Sequence, residues 1–179
     1  MIVMKTMTPV SGRTTNMKYA ENVDVSESPS YEMSTYVHKV AELLGISNLP
    51  GYVELEFVED LGKFAGLVDG DEDQVDISIA KVFDGERVDE EQMKINIAHE
   101  MVHAVQILTG RLIHTGLSLQ EGIFSYKWIF DGEEYQNLSY NDQPWENEAY
   151  DYEKEIYQAV ESGREVCEAI QSRLYPCRP

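Results

Sequence analysis

The sequence contains few cysteines, and this scarcity limits what the protein can be. Only two of the 179 residues are cysteines, Cys167 and Cys177, and they can form at most one disulfide. That count argues against a disulfide-rich secreted scaffold and is typical of a reducing cytoplasm. A Gly-rich phosphate loop, a nucleophile-elbow serine and a paired CxxC motif are all missing, which excludes the enzyme classes that depend on them.

Positive charge is also scarce. The chain has 14 Lys and Arg against 33 Asp and Glu, and its formal net charge is -19. A chain with this balance repels phosphate backbones, so we expect no nucleic-acid partner. A solvated acidic surface is the simplest explanation of the excess, and the alternative is a protein that mimics DNA and occupies a DNA-binding partner.

Long apolar runs are missing as well. No run approaches the length of a membrane span, and the N-terminus lacks the apolar region of a signal peptide, so we expect a soluble cytoplasmic protein with no membrane partner. The length and the 42% hydrophobic content suit one globular domain. Residues 1–27 show no sustained periodicity, which predicts a partly ordered leader over 1–27 and a single domain over 28–179.

The apolar pattern that follows the leader predicts a helix and then strands. Ser28 and Pro29 are typical of an N-cap and a first helical turn, and helical spacing continues to Gly45. Alternating apolar residues then predict three strands, over Tyr52–Val58, Phe64–Val68 and Gln74–Ala80. The acidic segment between the last two strands is most simply a charged hairpin turn.

A second hairpin is predicted further along the chain. Asp131–Gly132 is a strong turn signal between candidate strands at Phe124–Phe130 and Glu134–Leu138. Together with three predicted helices, these elements indicate an α+β fold in which a small mixed or antiparallel sheet packs on the first helix.

The most informative segment is His99-Glu100-Met101-Val102-His103. It lies in a helix predicted from Glu90 to Thr109, with Asp89 as its N-cap. Positions four apart lie on one face of a helix, so His99 and His103 can direct two imidazoles at one metal ion. The apolar stripe of this helix points nearly opposite the histidines, so we expect one face in the core and the other in an opening.

A catalytic zinc site needs a third protein ligand and an open position. A second helix, predicted to begin around Asp142–Pro144, offers Glu148 and, as a reserve, Glu146. With Trp145 as the reference, Glu148 lies about 70° to one side of the buried stripe and Glu146 about 90° to the other. The pattern favours Glu148, and the alternative is that both glutamates only stabilise the helix N-terminus.

These motifs resemble the gluzincin side of the zincin metallopeptidases, and compact ImmA/IrrE-type and small phage-encoded peptidases in particular. The resemblance rests on His-Glu-x-x-His and on Glu-x-Glu-Ala at residues 146–149, and it covers about 52–155. It implies a zincin-like domain, Zn²⁺ bound by His99, His103 and Glu148, and Glu100 as the catalytic base.

The implied activity is hydrolysis of a peptide or protein substrate within its chain, by a metal-activated water from which Glu100 removes a proton. Candidates to stabilise the anion that forms on the carbonyl are His114, Tyr140, Tyr150 and Tyr152. Asp151 or Glu155 is expected to orient the histidines. Substrate is expected to add a strand beside Gln74–Ala80, taken as the sheet edge.

Two other functions remain open from the sequence. One is an acidic, non-catalytic binding protein, either a DNA mimic or an inhibitor of a host factor. The other is a zinc-binding pseudo-peptidase that recognises a substrate without cleaving it.

Overall fold

The computed structural model describes residues 20–120 and 123–164, together with residues 172, 174 and 175; for 116–120 and 123–126 it describes the backbone alone. The elements in chain order are β1 (Val23–Ser26), α1 (Tyr31–Leu44), β2 (Tyr52–Asp60), β3 (Gly66–Gly70), β4 (Gln74–Phe83), β5 (Glu86–Arg87), α2 (Glu90–Leu108), β6 (Leu112–Gln120), β7 (Ile123–Phe130), β8 (Glu133–Gln136) and α3 (Pro144–Ser162). The expected α+β class is confirmed. Residues 1–19, Cys167 and Cys177 lie outside the described residues, so the extent of the leader and the disulfide stay predictions.

The central sheet has the strand order β1-β2-β4-β3, and the short β5 pairs with β4. β1, β2 and β4 run parallel, whereas β3 is antiparallel to β4. β1 lies within the predicted leader and pairs with β2. β4 lies between β2 and β3, so the expectation that Gln74–Ala80 forms the edge is wrong. The tight acidic turn before β4 folds β3 back along its outer side, and β3 becomes the edge strand.

The strands show the predicted alternation. Val53, Leu55 and Phe57 of β2 are buried, as are Val75, Ile77 and Ile79 of β4. The first helix begins two residues later than predicted, because Ser30 and not Ser28 is the N-cap and accepts a hydrogen bond from the backbone N–H of Met33 at 3.1 Å. It ends at Gly45, which adopts φ 75° as a left-handed C-cap.

α2 runs through the centre of the fold. Asp89 caps its N-terminus, as predicted, by accepting a hydrogen bond from the backbone N–H of Gln92 at 2.8 Å. Every residue from Ile97 to Leu108 is buried. One side of α2 packs against the central sheet and the other against α3. His99 and His103 are buried, yet they line a cavity, as the predicted opening requires.

The second sheet is antiparallel, with the order β6-β7-β8. β6 was not predicted, whereas the hairpin between β7 and β8 is confirmed: Asp131 and Gly132 both have positive φ, at 52° and 83°. This pair of left-handed residues matches the twist of the strands that it joins.

α3 has the predicted start and the predicted buried face. Pro144 is its first residue. Proline lacks a backbone N–H, and at this position an N–H would have no hydrogen-bond partner within the helix. The buried residues of α3 are Trp145, Ala149, Tyr152, Ile156, Ala159 and Val160. Among the described residues, no helix combines the length and apolar character needed to cross a membrane.

Candidate metal centre

Two imidazole rings and one carboxylate meet between α2 and α3. The Nε2 atoms of His99 and His103 lie 3.2 Å apart. The carboxylate of Glu146 places Oε2 at 3.3 Å from Nε2 of His99 and Oε1 at 3.4 Å from Nε2 of His103. Both histidines are buried, with 7% and 3% of their surface exposed. These three residues can hold a metal ion.

Glu148, the preferred third ligand in the sequence analysis, does not join this cluster. Its carboxylate accepts hydrogen bonds from Nη1 and Nη2 of Arg111, each at 3.1 Å, and from Nε2 of Gln106 at 2.8 Å. The structure corrects the choice of carboxylate: the reserve residue, Glu146, lies against the histidines. Arg111, which follows α2 in the chain, binds Glu148 instead.

The far nitrogen of His99 is held by a residue that the sequence analysis missed. Nδ1 of His99 lies 3.0 Å from Oε2 of Glu153, two helical turns after Glu146 on the same face of α3. A carboxylate accepts hydrogen bonds, so Nδ1 carries the proton and donates it. The expected partners, Asp151 and Glu155, are exposed on other faces of α3. The signal available in the sequence was the seven-residue spacing between Glu146 and Glu153.

The far nitrogen of His103 is held by Gln106. Nδ1 of His103 lies 2.8 Å from Oε1 of Gln106. The amide nitrogen of Gln106 donates to the carboxylate of Glu148 and to the backbone carbonyl of Trp145, at 2.8 and 3.1 Å. Both of those groups only accept hydrogen bonds, so the amide can be oriented in one way alone, with its oxygen facing the ring. His103 therefore carries a proton on Nδ1 and directs Nε2 at the cluster.

A chain of hydrogen bonds continues outward from Gln106. Glu148 links it to Arg111, and the guanidinium of Arg111 makes a second, two-pronged contact with Asp131, at 2.7 and 2.8 Å. Asp131 belongs to the turn between β7 and β8. The ring of His103 is thus connected to the second sheet through three side chains.

The electrostatics of the cluster favour a cation. The carboxylate and the two Nε2 atoms all present lone pairs to the same point once both Nδ1 atoms carry protons. Without a metal, a proton fills this place on His99: burial acts to lower its pKa, but hydrogen bonds to Glu146 and Glu153 outweigh burial and raise it to about 9. Burial acts to raise the pKa of Glu146, yet hydrogen bonds to His103 and His99 hold it well below its usual range.

Glu100 lies beside the cluster on α2 and is buried, with 8% of its surface exposed. It lines the same cavity, of about 170 Å³, as His99, His103 and Glu146. Burial raises the pKa of its carboxyl, and the two neighbouring histidines oppose that rise. The carboxylate therefore sits where its charge is costly and where proton uptake is favoured.

Gly66, at the start of β3, makes room for Glu100. A Cβ atom at this position would lie 2.4 Å from Oε1 of Glu100 and 2.7 Å from both Cδ and Cγ. Contacts this short do not occur between non-bonded atoms, so any larger residue would displace the Glu100 side chain. The sequence analysis did not single out Gly66, because its role depends on a residue 34 positions away.

The four candidate stabilisers are placed differently. Tyr140 and Tyr150, each 51% exposed, lie at the mouth of the site with their hydroxyl oxygens 3.3 Å apart. The Tyr140 hydroxyl bonds to the carboxylate of Glu146, and the Tyr150 ring stands edge-on to His99 at 4.7 Å between centroids. His114 lines the cavity and lies against Trp128. Tyr152 is instead buried in the core, on the face of α3 that carries Trp145.

Comparison of the chain with protein-family models, with curated proteins and with solved structures finds no match. The case for a function therefore rests on the geometry of the site.

Proposed function

We propose that this protein is a zinc-dependent metallopeptidase in which His99, His103 and Glu146 bind the metal and Glu100 is the general base. The observation that carries the proposal is the spacing of the donor groups of His99, His103 and Glu146. Ligands at 2.0–2.1 Å from a tetrahedral zinc ion are separated by about 3.3 Å from one another. Here the two Nε2 atoms are 3.2 Å apart, Nε2 of His99 lies 3.3 Å from Oε2 of Glu146, and Nε2 of His103 lies 3.4 Å from Oε1 of the same carboxylate.

The donor set also favours a catalytic site over a structural one. Structural zinc sites have four protein ligands, whereas two histidines and one glutamate leave a position for water. Both imidazoles are fixed through Nδ1, by Glu153 and Gln106. Such contacts orient the rings and raise the basicity of the nitrogen that binds the metal.

The chemistry follows from the residues around the donor set. Zinc held by His99, His103 and Glu146 would lower the pKa of a bound water to about 7 and would polarise a peptide carbonyl. Glu100 accepts the proton from water and delivers it to the departing amine, so no covalent intermediate with the protein is needed. Its buried, proton-attracting environment suits both steps. Tyr140 and Tyr150 offer hydroxyl donors at the mouth of the site to the carbonyl oxygen as it gains charge.

The edge strand β3 supplies a place for the substrate backbone. All five of its residues line the cavity that contains the histidines. β4 occupies one edge of β3, and no other strand of the described residues pairs with it. An extended peptide can add to the free edge by backbone hydrogen bonds, with its scissile carbonyl directed at the donor set.

The experiment that tests this proposal compares zinc-loaded wild type with Glu100→Gln on an unfolded protein substrate. Wild type is expected to cleave it, a chelator to stop cleavage and added zinc to restore it. Glu100→Gln should keep one zinc per chain and lose cleavage by at least a hundredfold, since the base contributes about 10²–10⁴ to the rate. Glu91→Gln is the matched control, because it removes the same negative charge from an exposed position on α2.

Equal cleavage by wild type and Glu100→Gln contradicts the mechanism. One zinc per chain with no cleavage by wild type on unfolded proteins or peptide mixtures favours the pseudo-peptidase. Absence of bound zinc, together with chelator-insensitive binding to a basic protein, favours the acidic binding protein.

A further inference from the structure

Three adjoining cavities form one cleft across the donor set. The central cavity contains the histidines and Glu146, and a cavity opens on either side of it. Phe64 lines all three cavities. The two outer cavities have volumes of about 500 and 540 Å³, each large enough for a bulky side chain.

The two outer cavities differ in chemistry. The first, which we name the aromatic pocket, is lined mainly by apolar and aromatic side chains: Phe64, Leu67, Trp128, Tyr135, Leu138 and Trp145. Its other described lining residues are amides, and none is charged. The opposite cavity contains Lys63, Glu100 and Glu153. In a chain with a net charge of -19, an uncharged pocket beside the donor set indicates a neutral occupant.

The floor of the aromatic pocket is closely packed. Trp145 is 3% exposed and packs against Trp128 and Tyr135, with ring centroids at 5.4 and 6.0 Å. Trp145 also precedes Glu146 on α3, so the pocket floor and the carboxylate of the donor set belong to the same helical turn. An occupant of the pocket would therefore lie beside the metal position.

Exposed apolar side chains gather around the same cleft. The described residues include seven large apolar or aromatic side chains that are exposed. Five of them line the three cavities: Phe64, Leu67, Phe83, Tyr140 and Tyr150. Exposed apolar surface concentrated in this way marks a binding site and not a random distribution.

We propose that the aromatic pocket selects substrates with a large apolar or aromatic side chain next to the scissile bond. This inference rests on the proposed function, since it assigns the peptide that the metal site cleaves. The pocket is continuous with the donor set, is uncharged over its described residues and has an aromatic floor. Asp, Glu, Lys and Arg side chains would lose their hydration there without gaining a partner.

The test measures binding and not turnover. A series of short peptide hydroxamates, identical except for one side chain, is titrated against zinc-loaded protein, because the hydroxamate binds zinc whether or not the protein cleaves. Compounds with Phe or Leu are expected to bind at least tenfold more tightly than those with Gly, Asp or Lys, from the burial of apolar surface.

Leu67→Asp puts a charge at the pocket and should reduce the preference for Phe over Gly at least fivefold. Ile113→Asp is the matched control, since Ile113 has a similar exposure, 38% against 42%, and lies outside the described pocket linings. It should leave the preference unchanged.

The outcomes separate the two proposals. Equal affinity for the Phe, Gly and Asp compounds, with zinc bound, overturns the pocket assignment and leaves the metal site standing. A preference for Phe that survives Leu67→Asp also overturns it. Failure of every hydroxamate, the Gly compound included, to bind in the presence of zinc contradicts the metal site and the pocket assignment together.

Discussion

Nδ1 of His103 donates a hydrogen bond to Oε1 of Gln106, one turn along α2, at 2.8 Å. The contact fixes which ring nitrogen is free to bind a metal. It also joins the metal centre to Glu148, Arg111 and Asp131, because the amide nitrogen of Gln106 donates to Glu148. Glu148 therefore acts on His103 indirectly, through Gln106.

Replacing Gln106 tests this connection. Gln106→Leu removes the acceptor from His103 and should weaken zinc binding about 10–100-fold, the usual cost of losing a contact that orients a metal ligand. Gln106→Glu keeps an acceptor for His103 but places a second carboxylate against Glu148. It should retain most of the zinc affinity and lower the free energy of unfolding. Competition with a chelator measures the affinity, and wild-type affinity in Gln106→Leu contradicts the assignment.

Glu146 and Glu148 provide a matched pair on one helix. Glu146→Gln removes a metal donor and should weaken zinc binding at least a hundredfold. Glu148→Gln removes a partner of Arg111 and should leave zinc bound, while lowering the free energy of unfolding by about 2 kcal/mol because a buried guanidinium loses half of its charge pairing. Zinc titration and urea unfolding of both variants check this. If Glu148→Gln loses zinc and Glu146→Gln keeps it, the third ligand is Glu148, as the sequence pattern favoured.

The Gly66→Ala variant tests the position of Glu100. The added methyl group overlaps the Glu100 side chain and must push the carboxylate away from its place beside the histidines. Cleavage should fall at least tenfold with the zinc content unchanged. Full activity in Gly66→Ala shows that the base does not need the observed position.

The pH dependence of stability should change sign when the metal is removed. In the metal-free protein, the raised pKa of His99, about 9, stabilises the fold fully below pH 6.5. That stabilisation is lost as the pH rises from 6.5 to 9, about 3 kcal/mol in all. Zinc competes with the proton for Nε2, so its stabilising effect should increase over the same range. Urea unfolding from pH 6 to 9, with chelator or with zinc, measures both trends.

The His99→Gln variant is the control for this experiment. Without the imidazole, the metal-free protein should lose the decline between pH 6.5 and 9. A decline of the same size in His99→Gln assigns the effect to other groups.

Periodicity in the sequence was enough to predict the helices and most of the strands. The N-cap of α2 at Asp89, the buried face of α3 and the turn at Asp131–Gly132 were all correct, because each depends on residues close together in the chain. The α+β class followed from the same local signals.

Contacts between distant segments could not be predicted in this way. Glu146 and Glu148 lie at nearly equal angles from the buried face of α3, so periodicity could not distinguish them. Arg111, 37 residues before Glu148, decides between them by binding Glu148. The prediction that β4 is the edge strand was wrong for a similar reason. Periodicity does not show which strands pair, and β3 pairs with the outer edge of β4.

The most direct test of the metal centre is a crystal structure of zinc-loaded protein with anomalous scattering recorded at the zinc absorption edge. We expect one strong peak per chain at about 2.0–2.2 Å from Nε2 of His99, Nε2 of His103 and a carboxylate oxygen of Glu146. A peak bound by other residues, or no peak between these three side chains, contradicts the account.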